Sequence, residues 1–174
     1  MNSIEIKKIT VSDLAELQKI SRATFYETFA ANNSEENMTK FLNEAYAPGK
    51  LAAELNNAHT EFYFATLGER VIGYLKLNSG PAQTELKNEN GLEIQRIYVL
   101  KEFHGQSVGQ LLYNKAIEVA KQSHCPYIWL GVWEENQRAI GFYKKNGFVE
   151  FDKHIFMLGD DVQTDIMMKL ELSA

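Results

Sequence analysis

Two short segments of this chain combine residue types that could act on a ligand, and the first centres on a phenol. Tyr143 lies in N-Q-R-A-I-G-F-Y-K-K-N-G-F, residues 136–148. A tyrosine with a reference pKa of about 10 keeps its proton at neutral pH, so it can serve as a general acid. Asn136 is a good helix start, Ala139, Ile140 and Tyr143 recur at helical spacing, and Gly147 offers a left-handed stop before Phe148 returns to a strand. The same pattern suits a core tyrosine on a short amphipathic helix, and the phenol alone does not decide between the two. The second segment, His104-Gly105-Gln106-Ser107-Val108-Gly109, stands between a strand and a helix, where backbone N–H groups can cradle an anion.

Other reactive side chains are less suggestive. The loop position of His104 favours phosphate contact over proton transfer. His59, His124 and His154 have no ligand-like spacing with Cys125 or with one another, so no metal is expected. The 105–109 run lacks the Gly-Lys-Ser/Thr ending of a nucleotide kinase loop. Trp129 and Trp133 bracket Gly131, and Trp133 could line an acceptor mouth or simply pack in a core.

The elements that must position these groups can be read from periodicity. Residues 4–9 alternate as a half-buried strand, and Ser12 or Asp13 can cap a helix whose apolar face holds Leu14, Leu17, Phe25 and Phe29. A second helix is predicted over 35–45, and Pro48-Gly49 separates it from a short helical piece around Leu51. Residues 62–66 and 71–77 form a hairpin turning at Gly68, and 78–91 read as a loop. A strand over 92–99, a helix over 108–123 and a strand over 127–132 make a parallel, right-handed βαβ unit. Ile166, Met168, Leu170 and Leu172 alternate in a terminal strand. The expected fold is α/β (α+β): a mixed, mostly antiparallel sheet with helices on both faces.

Composition bounds the reading. With 174 residues, 45% hydrophobic and 24% charged, the chain suits one domain over 1–174 that buries about 70% of its unfolded surface. A formal charge of −5 with no long basic block argues against general nucleic-acid binding. No apolar run approaches the roughly 20 residues of a membrane span. A lone cysteine and an N-terminus without an apolar signal core point to a cytoplasmic protein, and a homodimer stays open.

The two segments together resemble the GNAT superfamily of acyl-CoA-dependent N-acetyltransferases. Asn136, Ala139, Phe142, Tyr143, Gly147 and Phe148 match the family's later helix in full. In the phosphate loop, Gly105 and Gly109 match, His104 stands for the usual Gln or Arg, and Ser107 replaces the inner glycine, placing a Cβ where a phosphate should approach. The resemblance implies acetyl-CoA as cosubstrate, a splayed parallel strand pair that admits pantetheine, and cofactor contacts from Ile97, Tyr98, Val99, residues 104–109, Asn136, Tyr143 and Lys145. It implies Tyr143 as the acid that meets the thioester sulfur. Backbone groups of Ile97 and Val99 would pair with pantetheine, with the Val99 N–H near the thioester oxygen. Glu93, near the start of the same strand, is the expected general base, directly or through water.

Segments 24–29, 73–77, 93–99 and 154–160, with Gln163 and Asp165, further resemble the PaiA-type branch, which includes bacterial spermidine/spermine N-acetyltransferases. That likeness implies a small amine acceptor, a polyamine above all, with Tyr26, Glu27, Phe29, Glu93 and Trp133 as acceptor-site residues and Asp160 and Asp161 as further candidates. Two alternatives stay open: a protein or peptide acceptor, and an acyl-CoA-binding regulatory module without chemistry.

Overall fold

The computed structural model describes residues 3–87 and 90–172. Positions 88 and 89 of the expected 78–91 loop, and the two residues at either end of the expected 1–174 domain, lie outside the described residues.

Helix starts follow their caps. Thr10 accepts from the Ser12 N–H while its own N–H donates to Asp13 Oδ2 at 3.1 Å, closing a 3₁₀ turn that runs into α1 (Leu14–Phe29). The cap expected of Ser12 or Asp13 therefore falls to Thr10, with Asp13 as its reciprocal partner. Ser34 caps α2 (Glu35–Ala45) through the Asn37 N–H. Pro48 and Gly49 open α3 (Pro48–Leu55) rather than precede it, because a first-turn proline forfeits no helical hydrogen bond.

Seven strands form one sheet: β1 (Ile4–Lys8), β2 (Thr60–Leu67), β3 (Arg70–Ser79), β4 (Leu92–Val99), β5 (Tyr127–Trp133), β6 (Val149–Leu158) and β7 (Asp161–Glu171). Their spatial order is β1-β2-β3-β4-β5-β7-β6, and among the described residues only the β4–β5 pair is parallel. Alternation along β2 sends Phe62 and Phe64 to one face with Leu17, Phe25 and Phe29 of α1. Tyr63 and Ala65 go to the other, with Leu112, Ala116 and Ala120 of α4 (Val108–Gln122) and Ile140 and Tyr143 of α5 (Gln137–Lys145). Each large side chain buried in these layers contributes about 1.5–3 kcal/mol of transfer free energy.

The sheet parts in its middle. β4 and β5 pair only at Leu92–Ile128, Glu93–Trp129 and Ile94–Leu130. Directly after that, β4 carries a bulge: Leu77 pairs with Ile94 and Lys76 with Arg96, leaving Gln95 as the extra residue. A bulge bends its strand and increases the local twist, which carries the rest of β4 away from β5. The main-chain directions there follow from one bond. The Leu100 N–H donates to the Ile72 carbonyl at 2.9 Å, so, with period two, the groups of Tyr98 also face β3 while those of Ile97 and Val99 face the gap.

Candidate active site

The gap opens into two cavities that share Ile97, Tyr98, Trp133, Asn136, Ala139 and Tyr143 as a common wall. The larger, about 780 Å³, runs from that wall past Val99 to Gly105, Ser107, Val108 and Gly109. The smaller, about 260 Å³, lies on the other side under Phe25, Phe29, Phe41, Tyr46 and Phe156.

At the far end of the larger cavity the loop is shaped for an anion. Gly105 and Ser107 are left-handed, at φ 80° and 66°, and Ser107 is the N-cap of α4 without spending its hydroxyl on a capping bond. A Cβ at Gly105 or Gly109 would meet nothing within 4 Å, so the floor is open. The first-turn N–H groups of α4 and the positive end of its dipole point at this space. Lys101, Arg138 and Lys145 stand on the rim, all exposed. Lys101 and Arg138 had no motif to reveal them; only the fold gathers three cations around one mouth in a protein of net charge −5.

Left-handed geometry costs an L-residue about 1–2 kcal/mol. Ser107→Gly is therefore expected to stabilise the fold by about 0.5–1 kcal/mol after the extra chain entropy of glycine is subtracted. Urea denaturation measures this directly, and an unchanged or lower midpoint would show that Ser107 carries no strain.

Two loop residues make hydrogen bonds that the motif did not announce. His104 Nε2 sits 2.9 Å from the Val99 carbonyl, so the ring braces the end of β4 while still lining the larger cavity. Gln106 donates to the Glu102 carbonyl at 3.3 Å and lies outside both cavity walls.

Tyr143 is where the cavities meet. Asn136 holds the start of its helix by accepting from the Ala139 N–H at 3.2 Å, and Gly147, at φ 97°, ends it. The ring is buried against Phe142 and Phe148. Among the described residues nothing bonds its hydroxyl. Burial, with the Tyr113 phenol nearby, pushes its pKa well above the usual value, so it is fully protonated at neutral pH.

The expected base is elsewhere. Glu93 is 3% exposed, lines neither cavity, and its carboxylate accepts from Asn78 Nδ2 at 3.0 Å and from the Thr84 N–H and hydroxyl at 2.8 and 2.5 Å. It reaches the smaller cavity only through Thr84, which does line it.

The acceptor residues expected from α1 divide by helix face. Phe29 is buried, packs on Phe25 and Trp133, and walls the smaller cavity. Tyr26 points outward and donates to Glu35 at 2.8 Å, in neither cavity. Glu27 belongs to the larger cavity, where it accepts from the Lys101 N–H at 3.0 Å. Trp133 is fixed by its Nε1 bond to Gln163 at 2.7 Å. Asp160 and Asp161 both accept from Asn37 Nδ2, at 3.0 and 3.2 Å, away from the cavities.

The carboxylates that do face the smaller cavity are Glu85 and Asp165, and neither was assigned a role from the sequence. Glu85 pairs with His154 Nε2 at 3.2 Å. Asp165 is largely buried, and desolvation raises its pKa to about 6, partly opposed by His154. Arg96 also lines this cavity, held by Glu54 at 3.2 Å and lying over the Tyr46 ring. Among the described residues no cluster of His, Cys, Asp and Glu could hold a metal, and no helix is long and apolar enough to cross a membrane.

A parted parallel pair, an anion floor at a helix start and a buried phenol between two cavities define an acyl-CoA-dependent transferase. The acetyltransferase (GNAT) family profile matches residues 14–148, and the chain belongs to that family. It is similar to an uncharacterized N-acetyltransferase from the pepI 3′ region of Lactobacillus delbrueckii subsp. lactis, at 41% identity over 172 residues and 99% of each chain. It is also similar to the spermidine N(1)-acetyltransferase of Thermoplasma acidophilum, at 28% identity over 84% of this chain and 88% of that one. Among solved structures, the PaiA N-acetyltransferase of Thermoplasma acidophilum in complex with coenzyme A superposes with a TM-score of 0.79 at 26% identity, covering 98% of this chain and 99% of that one. The protein is an N-acetyltransferase that uses acetyl-CoA.

Proposed function

We propose that the enzyme acetylates a primary amine by direct attack on acetyl-CoA, and that the acceptor is a polyamine such as spermidine or spermine. The observation that carries this reading is the position of Tyr143, between an anion-floored cavity sized for the cofactor and an aromatic cavity with two acids on its wall. The pyrophosphate would lie across residues 104–109 under Lys101, Arg138 and Lys145. Pantetheine would run beside Ile97 to Val99, whose main-chain groups face it.

The smaller cavity suits a cation with an aliphatic body. Phe25, Phe29, Phe41, Trp133 and Phe156 make its wall aromatic, and a ring face left open to the cavity attracts a desolvated ammonium by about 2 kcal/mol. Glu85 and Asp165 supply opposite charge, and Glu93 acts on this wall by orienting Thr84. The Thermoplasma spermidine acetyltransferase lends the acceptor class its support. Dependence on acetyl-CoA supports a cytoplasmic setting, and the apolar outer edge of β6, with Val149, Phe151, Ile155 and Met157 exposed, supports a homodimer.

The test is thiol release from acetyl-CoA against polyamines, monoamines, amino acids and peptides across pH 7 to 9. Spermidine or spermine is expected to turn over best. Added salt should raise KM for a polyamine more than for a monoamine, because screening weakens the charge contacts beyond the reacting nitrogen. Efficient acetylation of peptides with spermidine and spermine untouched would refute the polyamine reading.

A further inference from the structure

Asp165 reaches the acceptor cavity through strand pairing rather than chain order. On β7 it lies opposite Trp133 of β5 and His154 of β6. Its Oδ2 is 3.6 Å from where a Cβ would stand at Gly131, one residue beyond Leu130, the last β5 residue to pair with β4. The carboxyl therefore occupies the β5 wall of the gap where the two strands part. Tyr98 occupies the facing β4 wall, and its phenol feels the charges of both Asp165 and Tyr143. All three line the smaller cavity. An acceptor nitrogen aimed at a thioester beside Tyr143 must thus pass between a carboxylate and a phenol.

We infer that Asp165 is the group that takes the proton from the acceptor ammonium before attack, an assignment that rests on acetyl transfer to an amine as proposed above. The step balances with no further reagent. R–NH₃⁺ gives one proton to the Asp165 carboxylate, which keeps it through the attack and releases it to solvent afterwards. The neutral nitrogen then attacks the thioester carbon, the C–N bond forms and the C–S bond breaks. The departing sulfur takes a proton from Tyr143, and the second proton lost by nitrogen as the amide forms restores the phenol through solvent.

Electrostatics at the site agree with that role. The charge that acts on Asp165 comes from His154 of β6, to which Glu85 is bonded; Arg96 of β4 lines the same cavity but is paired with Glu54, and Gly131 and Trp133 of β5 bring no charge. Burial holds the carboxyl up at about 6, against the pull of His154. It is a stronger base than an ordinary aspartate, yet it is mostly ionised at pH 7. Glu93 lacks this freedom, because three hydrogen bonds already occupy its carboxylate.

The signature is a pH profile. A base that accepts the ammonium form makes kcat/KM rise through about pH 6 and then hold level until the amine itself loses its proton, at about pH 10. Without that base only free amine reacts, about one part in a thousand at pH 7, and log kcat/KM climbs one unit per pH unit up to about pH 10. Steady-state rates with spermidine from pH 5 to 9 should show the level stretch in the wild type and, whatever the overall rate, in Glu93→Gln. Asp165→Asn, of the same size and shape, should lose it, fall about a hundredfold at pH 7 and recover towards pH 9, with acetyl-CoA affinity unchanged as proof of fold. His154→Asn keeps the carboxyl and removes the neighbouring cation, so the lower break should move upward.

A level profile in a folded Asp165→Asn enzyme, or a steady climb from pH 7 to 9 in the wild type, would overturn the assignment. If the wild type ignores spermidine but acetylates another amine, the polyamine reading fails. The same four profiles, run with that amine, still decide for or against Asp165.

Discussion

Tyr143→Phe is expected to lower turnover by roughly 10²- to 10⁴-fold while leaving acetyl-CoA binding and thermal stability nearly unchanged. The substitution keeps the ring that packs against Phe142 and Phe148 and removes only the hydroxyl, which has no bond to lose among the described residues. A buried phenol with a raised pKa is a weak acid for a thiolate of reference pKa about 8.5 in water. A thiolate leaving beside Tyr143 as proposed would meet the same dry wall, however, and desolvation would raise its proton affinity too, which brings the two groups back towards a match. Single-turnover rates of acetyl transfer separate this step from product release. A wild-type chemical rate in Tyr143→Phe would remove the acid from the mechanism.

Gly109→Asp is expected to weaken acetyl-CoA binding by roughly a hundredfold or more, with the fold intact. A side chain at 109 meets no protein atom within 4 Å, so the apo structure has room for it, and the cost appears only when a phosphate must share that room. Losing charge-assisted bonds from the first turn of α4 costs about 1.5–3 kcal/mol each, and the new carboxylate adds repulsion. Calorimetric titration with acetyl-CoA gives the answer. Gly109→Ala separates bulk from charge and should lose far less. Undiminished affinity in a folded Gly109→Asp protein would move the pyrophosphate elsewhere.

The parts of this site that depend on local rules are legible in the sequence. Asn136, Ala139, Tyr143 and Gly147 announce a cap, a face and a stop within one short helix, and the structure repeats them. The parallel unit, the mixed sheet and the helix-covered faces follow from periodicity and chain order. What escapes depends on register and rotation. Phe25 and Phe29, four apart, share the inner face of α1; Tyr26 and Glu27, rotated from it by about 100° and 200°, cannot join them at the acceptor. Glu93 looks like a free strand carboxylate until Asn78 and Thr84 arrive from β3 and the following loop. Asp165 sits 22 residues beyond Tyr143 in the chain, and only the pairing of β7 with β5 brings it to the same cavity. No single-sequence pattern encodes that partner choice.

The bulge at Gln95 leaves the middle of the sheet unfinished, with Ile97 and Val99 offering main-chain groups to a gap where a neighbouring strand would be. In the placement proposed above, coenzyme A's pantetheine, with its two amides, would be the missing strand in chemical form. The cofactor is then a structural component as well as a reactant, and folding and occupancy become one equilibrium. At a hundred times its dissociation constant a ligand of the native state adds about 2.7 kcal/mol to stability. The lifetime of the protein in a cell would therefore follow the supply of acetyl-CoA, with the enzyme most durable when its cosubstrate is plentiful and most open to proteolysis when it is scarce.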